Sequence, residues 1–297
     1  MPPLSTPMNV VLWLVDGRAF VVFSLIGLGC FLGMTIAASG NRTTQSRWFR
    51  RVLWLVLCAV LLLPVTATPI PLPLLFAPGL LIVFGILVLA RKAVSRGLLR
   101  ICGVLGLCAV TLGLIAEWRW WSRPVVNVAS ADAGVVVIGD SLSAGIGAGE
   151  KTWPTLLAEQ TGLKVVSVAR PGARIADGVR QLGQAEVDGR MVVILLGGND
   201  MLSAGPSALY AAELEELVLT VRERGGRPLL IEFPTTPFRE GYGRVMRDIA
   251  TVLDVPLLHR RHLAWVLQAP GATLDGLHLS ESGHRHLALK IGEVLQK

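Results

Sequence analysis

Apolar and polar positions are arranged on two different scales along this chain. Up to about residue 120, apolar residues run in long blocks and the polar ones collect between them. Four blocks, Ala19–Ser39, Val52–Thr68, Leu72–Ala90 and Leu98–Ala116, approach the roughly 20 residues that a helix needs to cross a bilayer. Pro64 interrupts the second, and Pro73 and Pro78 lie early in the third. So many blocks in so short a stretch leave nothing to bury them as core helices. The pattern therefore predicts a membrane region, 1–122, with four transmembrane helices at about 19–39, 52–68, 72–90 and 98–116.

A short polar linker, 123–133, separates this region from a finer pattern. Strand-length apolar runs fall at Val135–Gly139, Lys164–Ala169, Met191–Leu196, Pro228–Phe233 and Pro256–Leu258. Between and after them lie predicted helices at Trp153–Gln160, Ile175–Gln184, Pro206–Arg224, Arg239–Leu253 and Ser282–Leu295. In the longest, Tyr210, Leu214, Leu217, Val218 and Val221 form one stripe at helical spacing. Such alternation predicts right-handed βαβ units and a parallel sheet with helices on both faces over 134–297. Sites in such sheets lie beyond the carboxyl ends of the strands.

Charge separates the same two regions. Mean hydropathy is +0.58 and the formal charge is +7. Residues 1–124 hold 11 Lys+Arg and 2 Asp+Glu, a net of +9; residues 125–297 hold 17 and 19, a net of −2. The basic excess belongs to the apolar half, which excludes a nucleic-acid footprint on the second half. It also orients the chain. Arg42, Arg47, Arg50 and Arg51 lie between the first and second spans, and Arg91, Lys92, Arg96 and Arg100 between or at the edges of the third and fourth. Positive loops stay cytoplasmic, so the region after the fourth span is expected outside a cytoplasmic membrane, facing the periplasm or exterior. Trp118, Trp120 and Trp121 follow that span and fit an interfacial belt at headgroup depth. No Asp, Glu, Lys or His lies inside a span. The helices therefore read as an anchor in the lipid bilayer rather than a transport path.

The cysteines, Cys30, Cys58, Cys102 and Cys108, all lie in the first half, so the second half has no disulfide or thiolate zinc site. All five histidines fall in the last 40 residues. His284 and His286 stand two apart on a predicted helix, where they point away from each other, and no metal site is expected. His259 and His262 flank Arg260-Arg261 after the last strand and read as surface polar residues.

Four segments at strand or loop ends carry chemistry. They are Gly139-Asp140-Ser141-Leu142-Ser143, Arg170-Pro171-Gly172-Ala173-Arg174, Gly197-Gly198-Asn199-Asp200 and Asp275-Gly276-Leu277-His278. Each is also an ordinary turn sequence taken singly. Together they supply acyl transfer: Ser141 as nucleophile, His278 as base and Asp275 to orient it. The Ser141 N–H, the Gly172 N–H and the Asn199 amide are candidate oxyanion donors. There is no Gly-x-Ser-x-Gly elbow of the α/β-hydrolase kind.

This set, in this order, resembles the SGNH or GDSL hydrolases, whose four blocks centre on Ser, Gly, Asn and His. Arg170-Pro171 before Gly172 departs from the more usual Ala-x-Ser of the second block. The stretch Asp140–Gly145 looks especially like the thioesterase I/lysophospholipase L1 branch. The resemblance covers roughly residues 134–297 and not the four spans. It implies a flavodoxin-like three-layer α/β/α domain and ester hydrolysis without a cofactor. Its site residues map to Ser141, Asp275 and His278 for catalysis, and to Ser141, Gly172 and Asn199 for the oxyanion hole. The expected substrate is an acyl ester of a lipid, such as a lysophospholipid. Alternatives are removal or transfer of acetyl groups on envelope polysaccharide, and a non-catalytic binding domain.

Overall fold

The computed structural model describes residues 12–37, 63, 66, 68–71, 73–74, 76–81, 96–121, 126–127, 134–147 and 149–296. The chain divides into two compact units, residues 13–119 and residues 120–297 joined by 1–12.

In the first unit, helix α1 (Arg18–Ala37) and helix α2 (Arg96–Trp118) pack on each other. Their approach is close because of Gly106: a Cβ there would lie 2.1 Å from the Phe31 ring. Asp16 opens α1, its Oδ1 accepting the Arg18 N–H at 2.8 Å. Among the described residues, one helix, Arg100–Trp118, is long and apolar enough to cross a membrane, and Arg18–Gly29 is a shorter apolar stretch. These two helices coincide with the first and fourth predicted spans. The described structure thus carries one candidate spanning helix where the sequence pattern predicts four. The second and third predicted spans, 52–68 and 72–90, lie largely outside the described residues.

The second unit is built on a five-stranded parallel sheet. Its strands are β2 (Val135–Gly139), β3 (Val165–Ser167), β4 (Met191–Leu195), β5 (Arg227–Ile231) and β6 (Leu257–Leu258), in the spatial order β3-β2-β4-β5-β6. This is the doubly wound flavodoxin order, whose switch point lies between the first strand and the third, here β2 and β4. The central strands are fully buried, as continuous β-branched runs require. β2 pairs with β4 over its full five residues, but with β3 over only three. That explains why the Lys164–Ala169 run yields so short a strand. A separate parallel pair joins β1 (Val126–Asn127), inside the predicted linker, to β7 (Leu295–Gln296) near the C-terminus.

Helix α3 (Ser141–Ala144) is a single turn directly after β2. Helix α4 (Trp153–Thr161) packs against the last helix, α10 (Glu281–Gly292). The predicted helix at 175–184 is instead a 3₁₀ turn, Ile175–Asp177, followed by α5 (Gly178–Leu182). Gly178 marks the break: a Cβ there would come within 2.6 Å of Leu217. Helix α6 (Gly198–Leu202) follows β4, and helix α7 (Ser207–Glu223) packs on α5 and on α8 (Glu240–Val252). The α7 stripe read from the sequence is buried to 1% exposure or less. At about 1.5–3 kcal/mol per fully buried large aliphatic side chain, it is a major source of adhesion to the sheet.

A further helix, α9 (Arg261–Gln268), was not anticipated. With it comes a correction: His259, Arg260 and His262 are buried, not surface residues. Glu232, fully buried just after β5, supplies the reason. Its carboxylate pairs with Arg247 Nε at 2.9 Å and accepts the Arg260 N–H at 3.0 Å. Buried charge persists where it is paired in this way. Of the three tryptophans that follow α2, Trp118 is exposed, Trp120 lies 5.4 Å from the Arg247 guanidinium, and Trp121 packs on Arg261 and His259.

Candidate active site

β2 ends at Gly139, and only glycine fits there. A Cβ would stand 2.5 Å from Ser143 Oγ and 2.7 Å from Ser143 Cβ. Gln181, buried on α5, takes both backbone groups of this residue: Gly139 N–H donates to Oε1, and Nε2 donates to the Gly139 carbonyl, each at 3.0 Å. Arg170 N–H reaches the same carbonyl at 3.1 Å, fixing the second segment beside the first.

Asp140 caps α3, its Oδ1 accepting the Leu142 N–H at 2.9 Å. Burial pushes its carboxyl up to about 6, although the Leu142 N–H and the charge of His278 both pull it down. That influence places His278 within electrostatic reach of the nucleophile turn. Ser141 is the first residue of α3, half-buried, and its N–H has no intrahelical partner by position. Among the described residues no hydrogen bond joins Ser141 Oγ to His278. Ser143 Oγ accepts the Trp153 indole N–H at 3.2 Å.

The second and third segments are tied together. Gly172 turns the chain with φ +75°, in open space, and among the described residues nothing takes up its N–H. Asn199 donates one amide hydrogen to the Ala173 carbonyl at 2.9 Å, leaving its second hydrogen available. Asp200 accepts the Ile175 N–H at 3.0 Å. Gly197, with φ +114°, stands where a Cβ would meet Tyr210 and Phe233 at 2.5 and 2.7 Å. A Cβ on Gly198 would be 3.5 Å from Asp140 Oδ2, so the third segment lies against the first.

The fourth segment precedes α10. A Thr273–Leu279 bridge and the Leu274 N–H to His278 carbonyl bond close its loop. Asp275 Oδ1 accepts the Leu277 and His278 N–H groups at 2.9 and 2.8 Å, and Oδ2 lies 2.6 Å from His278 Nδ1. The His278 ring and those N–H groups hold the Asp275 carboxyl well below the usual carboxylate range. This fixes Nδ1–H toward Asp275 and leaves Nε2 as the acceptor.

The first three segments thus meet at the carboxyl edge of the sheet, around the switch point, and the charge of His278 on the fourth is felt at Asp140. Sequence reasoning missed Gln181, Trp153 and His284. The signal for His284 was available: Leu287, Ala288 and Ile291 follow it at i+3, i+4 and i+7, and all are buried. His284 and His286 have separate surroundings, His284 beside Glu150 and His286 against Trp265. Among the described residues no group of three His, Cys, Asp or Glu converges as a metal site.

Comparison with known proteins places this chain. The thioesterase 1/protease 1/lysophospholipase L1 of Escherichia coli (strain K12) is 26% identical over 180 residues, spanning 57% of this chain and 86% of that protein. Among solved structures, the psychrotrophic esterase EstA from Pseudoalteromonas sp. aligns at 20% identity with a TM-score of 0.49, covering 55% of this chain and 96% of that one. Axe2, an acetylxylan esterase from Geobacillus stearothermophilus, aligns at 20% with a TM-score of 0.45, covering 54% and 93%. The sequence model of the GDSL-like lipase/acylhydrolase family matches residues 137–286, just over half of the chain and all four segments. The chain belongs to the GDSL-like lipase/acylhydrolase family and is an ester-hydrolysing enzyme.

Proposed function

We propose that this enzyme is a membrane-anchored serine esterase that cleaves acyl esters outside the cytoplasm, with lysophospholipids or related lipid esters as its substrate class. The observation that carries the catalytic reading is the 2.6 Å contact between Asp275 Oδ2 and His278 Nδ1, on a loop within electrostatic reach of the turn that bears Ser141.

In this mechanism His278 Nε2 takes the Ser141 hydroxyl proton as Oγ attacks the ester carbonyl. Asp275 holds the ring in that tautomer and stabilises the imidazolium. The tetrahedral oxyanion receives the Ser141 N–H, the Gly172 N–H and the free amide hydrogen of Asn199. His278 then protonates the leaving alcohol, and a water molecule activated by the same nitrogen releases the acid. No step calls for a cofactor.

Anchoring rests on the apolar blocks and on the arginine-rich loops at 42–51 and 91–100. The relationship to a lysophospholipase supports a lipid ester as substrate.

Full-length protein in detergent, assayed with p-nitrophenyl esters of graded chain length, tests the chemistry. Turnover that disappears in Ser141→Ala is expected; turnover unchanged by that substitution would refute it. A preference for acetyl over octanoyl esters would move the substrate to acetylated glycans. A carboxyl-terminal alkaline phosphatase fusion should be active and a GFP fusion dark, and the opposite pattern would place the domain in the cytoplasm.

A further inference from the structure

Two buried or half-buried titratable groups near the site take no part in this mechanism. His284, on α10 six residues after His278, is completely buried. Its Nδ1 accepts the Trp153 N–H at 3.2 Å, across 131 residues of chain. A neutral ring with Nδ1 as acceptor carries its proton on Nε2. That Nε2 lies 3.2 Å from Glu150 Oε1, at ion-pair distance though poorly aligned as a hydrogen bond. The other carboxylate oxygen, Glu150 Oε2, accepts the Ile146 and Gly147 N–H groups at 3.0 and 3.1 Å. It also packs on Gly145, the residue that ends the nucleophile turn: a Cβ there would lie 2.4 Å from Oε2.

These contacts form one chain of support. The Trp153 indole holds Ser143, two residues beyond Ser141. The Trp153 backbone and Glu150 both lean on His284, which rides on the helix that continues the His278 loop. Ser141 and His278 come from opposite ends of the domain. His284 is where the segment after the first meets the segment after the second.

Burial pushes His284 below its ordinary value against the pull of Glu150, so the ring is neutral at pH 7. Burial raises Glu150, but the Gly147 and Ile146 N–H groups and His284 outweigh it and keep the carboxylate ionised. The other charged groups on α4 and α10 are engaged elsewhere: Glu159 with Lys151, Arg285 with Glu281, and Lys290 with Glu293.

We propose that Glu150 and His284 are positioning residues for ester hydrolysis, a clamp that sets the spacing between the nucleophile turn and the base loop. The inference rests on the proposed roles of Ser141 and His278. Near-attack geometry is sensitive on this scale, since a displacement of about 1 Å costs up to about 100-fold in rate.

Glu150→Gln is the discriminating variant. It preserves shape and partial exposure, but its amide group either faces the Nε2–H of His284, donor against donor, or abandons the Ile146 and Gly147 N–H groups. In full-length protein we expect kcat for p-nitrophenyl butyrate to fall about tenfold, KM to stay within about twofold, and the rate of fluorophosphonate labelling of Ser141 to fall with kcat. His284→Asn, which retains an acceptor for Trp153 N–H but loses Glu150, should lower kcat in the same direction. Wild-type kcat and labelling rate in folded Glu150→Gln overturn the clamp, as does a loss confined to melting temperature in both variants. Wild-type protein and Ser141→Ala are measured alongside. An active wild type with a dead Ser141→Ala confines any negative result to the clamp. A wild type that neither turns over nor labels overturns the esterase reading at Ser141 and the clamp with it.

Discussion

Asp140 stands one residue before Ser141, and Asp275 stands three before His278, yet their surroundings are opposite. Asp140 is 4% exposed and accepts the Leu142 N–H, and desolvation lifts its carboxyl to about 6. The Asp275 side chain is about half exposed and meets three donors, which hold its carboxyl well below the usual range. The nucleophile turn is positioned by packing: a buried strand, a glycine with no room for a methyl group, and a glutamine that saturates its backbone. The base loop is positioned by its own carboxylate, which gathers two backbone N–H groups and an imidazole within four residues. A strand end gains accuracy from burial at the cost of desolvating any charge it carries. A loop keeps its charge solvated and gains accuracy from hydrogen bonds.

Asp275→Asn attacks the loop's device directly. The amide group turns a donor toward Nδ1 and favours the wrong tautomer, so kcat should fall about 10³–10⁴-fold, equivalent to about 4–5 kcal/mol in the barrier. Kinetics at saturating ester check this, and a loss under tenfold would remove Asp275 from the mechanism. Gly139→Ala attacks the strand end. The added methyl group must displace Ser143, and overpacking of this kind costs about 1–3 kcal/mol, read as a lower urea midpoint together with slower Ser141 labelling.

Asp140→Asn separates stability from charge. A carboxyl raised in the folded state contributes stability that is fully present below its unfolded value, near 4, and lost as pH rises through about 6. The variant lacks that loss, so it should gain about 3 kcal/mol over wild type at pH 7 and nothing at pH 4, followed by melting temperature against pH. It also removes a negative charge near His278, so a modest drop in kcat should accompany the gain. The smallest effect belongs to Gly172→Ala. The site has space but a left-handed φ, so a destabilisation of about 1 kcal/mol is expected, with kcat within about tenfold because the N–H survives.

Much of this was legible along the chain. The apolar runs give Val135–Gly139 with its observed ends and Met191–Leu195 within one residue, because buried parallel strands are continuous β-branched runs that no other local structure explains as well. Asp275 and His278 were legible because their contact spans three residues. The α9 helix is not legible, although Leu263, Val266 and Leu267 hold helical spacing, because His259 and His262, flanking Arg260-Arg261, read as surface polar residues. The buried His259 and Arg260 meet Glu232, about 30 residues upstream: the Arg260 N–H donates to its carboxylate and His259 Nε2 lies 3.9 Å from it.

The sequence by itself determined the alternation of strand and helix, the strand ends where chemistry collects, and the family to which the domain belongs. Local periodicity and turn residues carry that information, and both are properties of neighbours along the chain. Tertiary structure alone decided where polar side chains find their partners: Gln181 on Gly139, His284 between Trp153 and Glu150, and Trp121 on Arg261. A polar group tolerates burial only when a partner meets it, and here those partners come from 42 to 140 residues away.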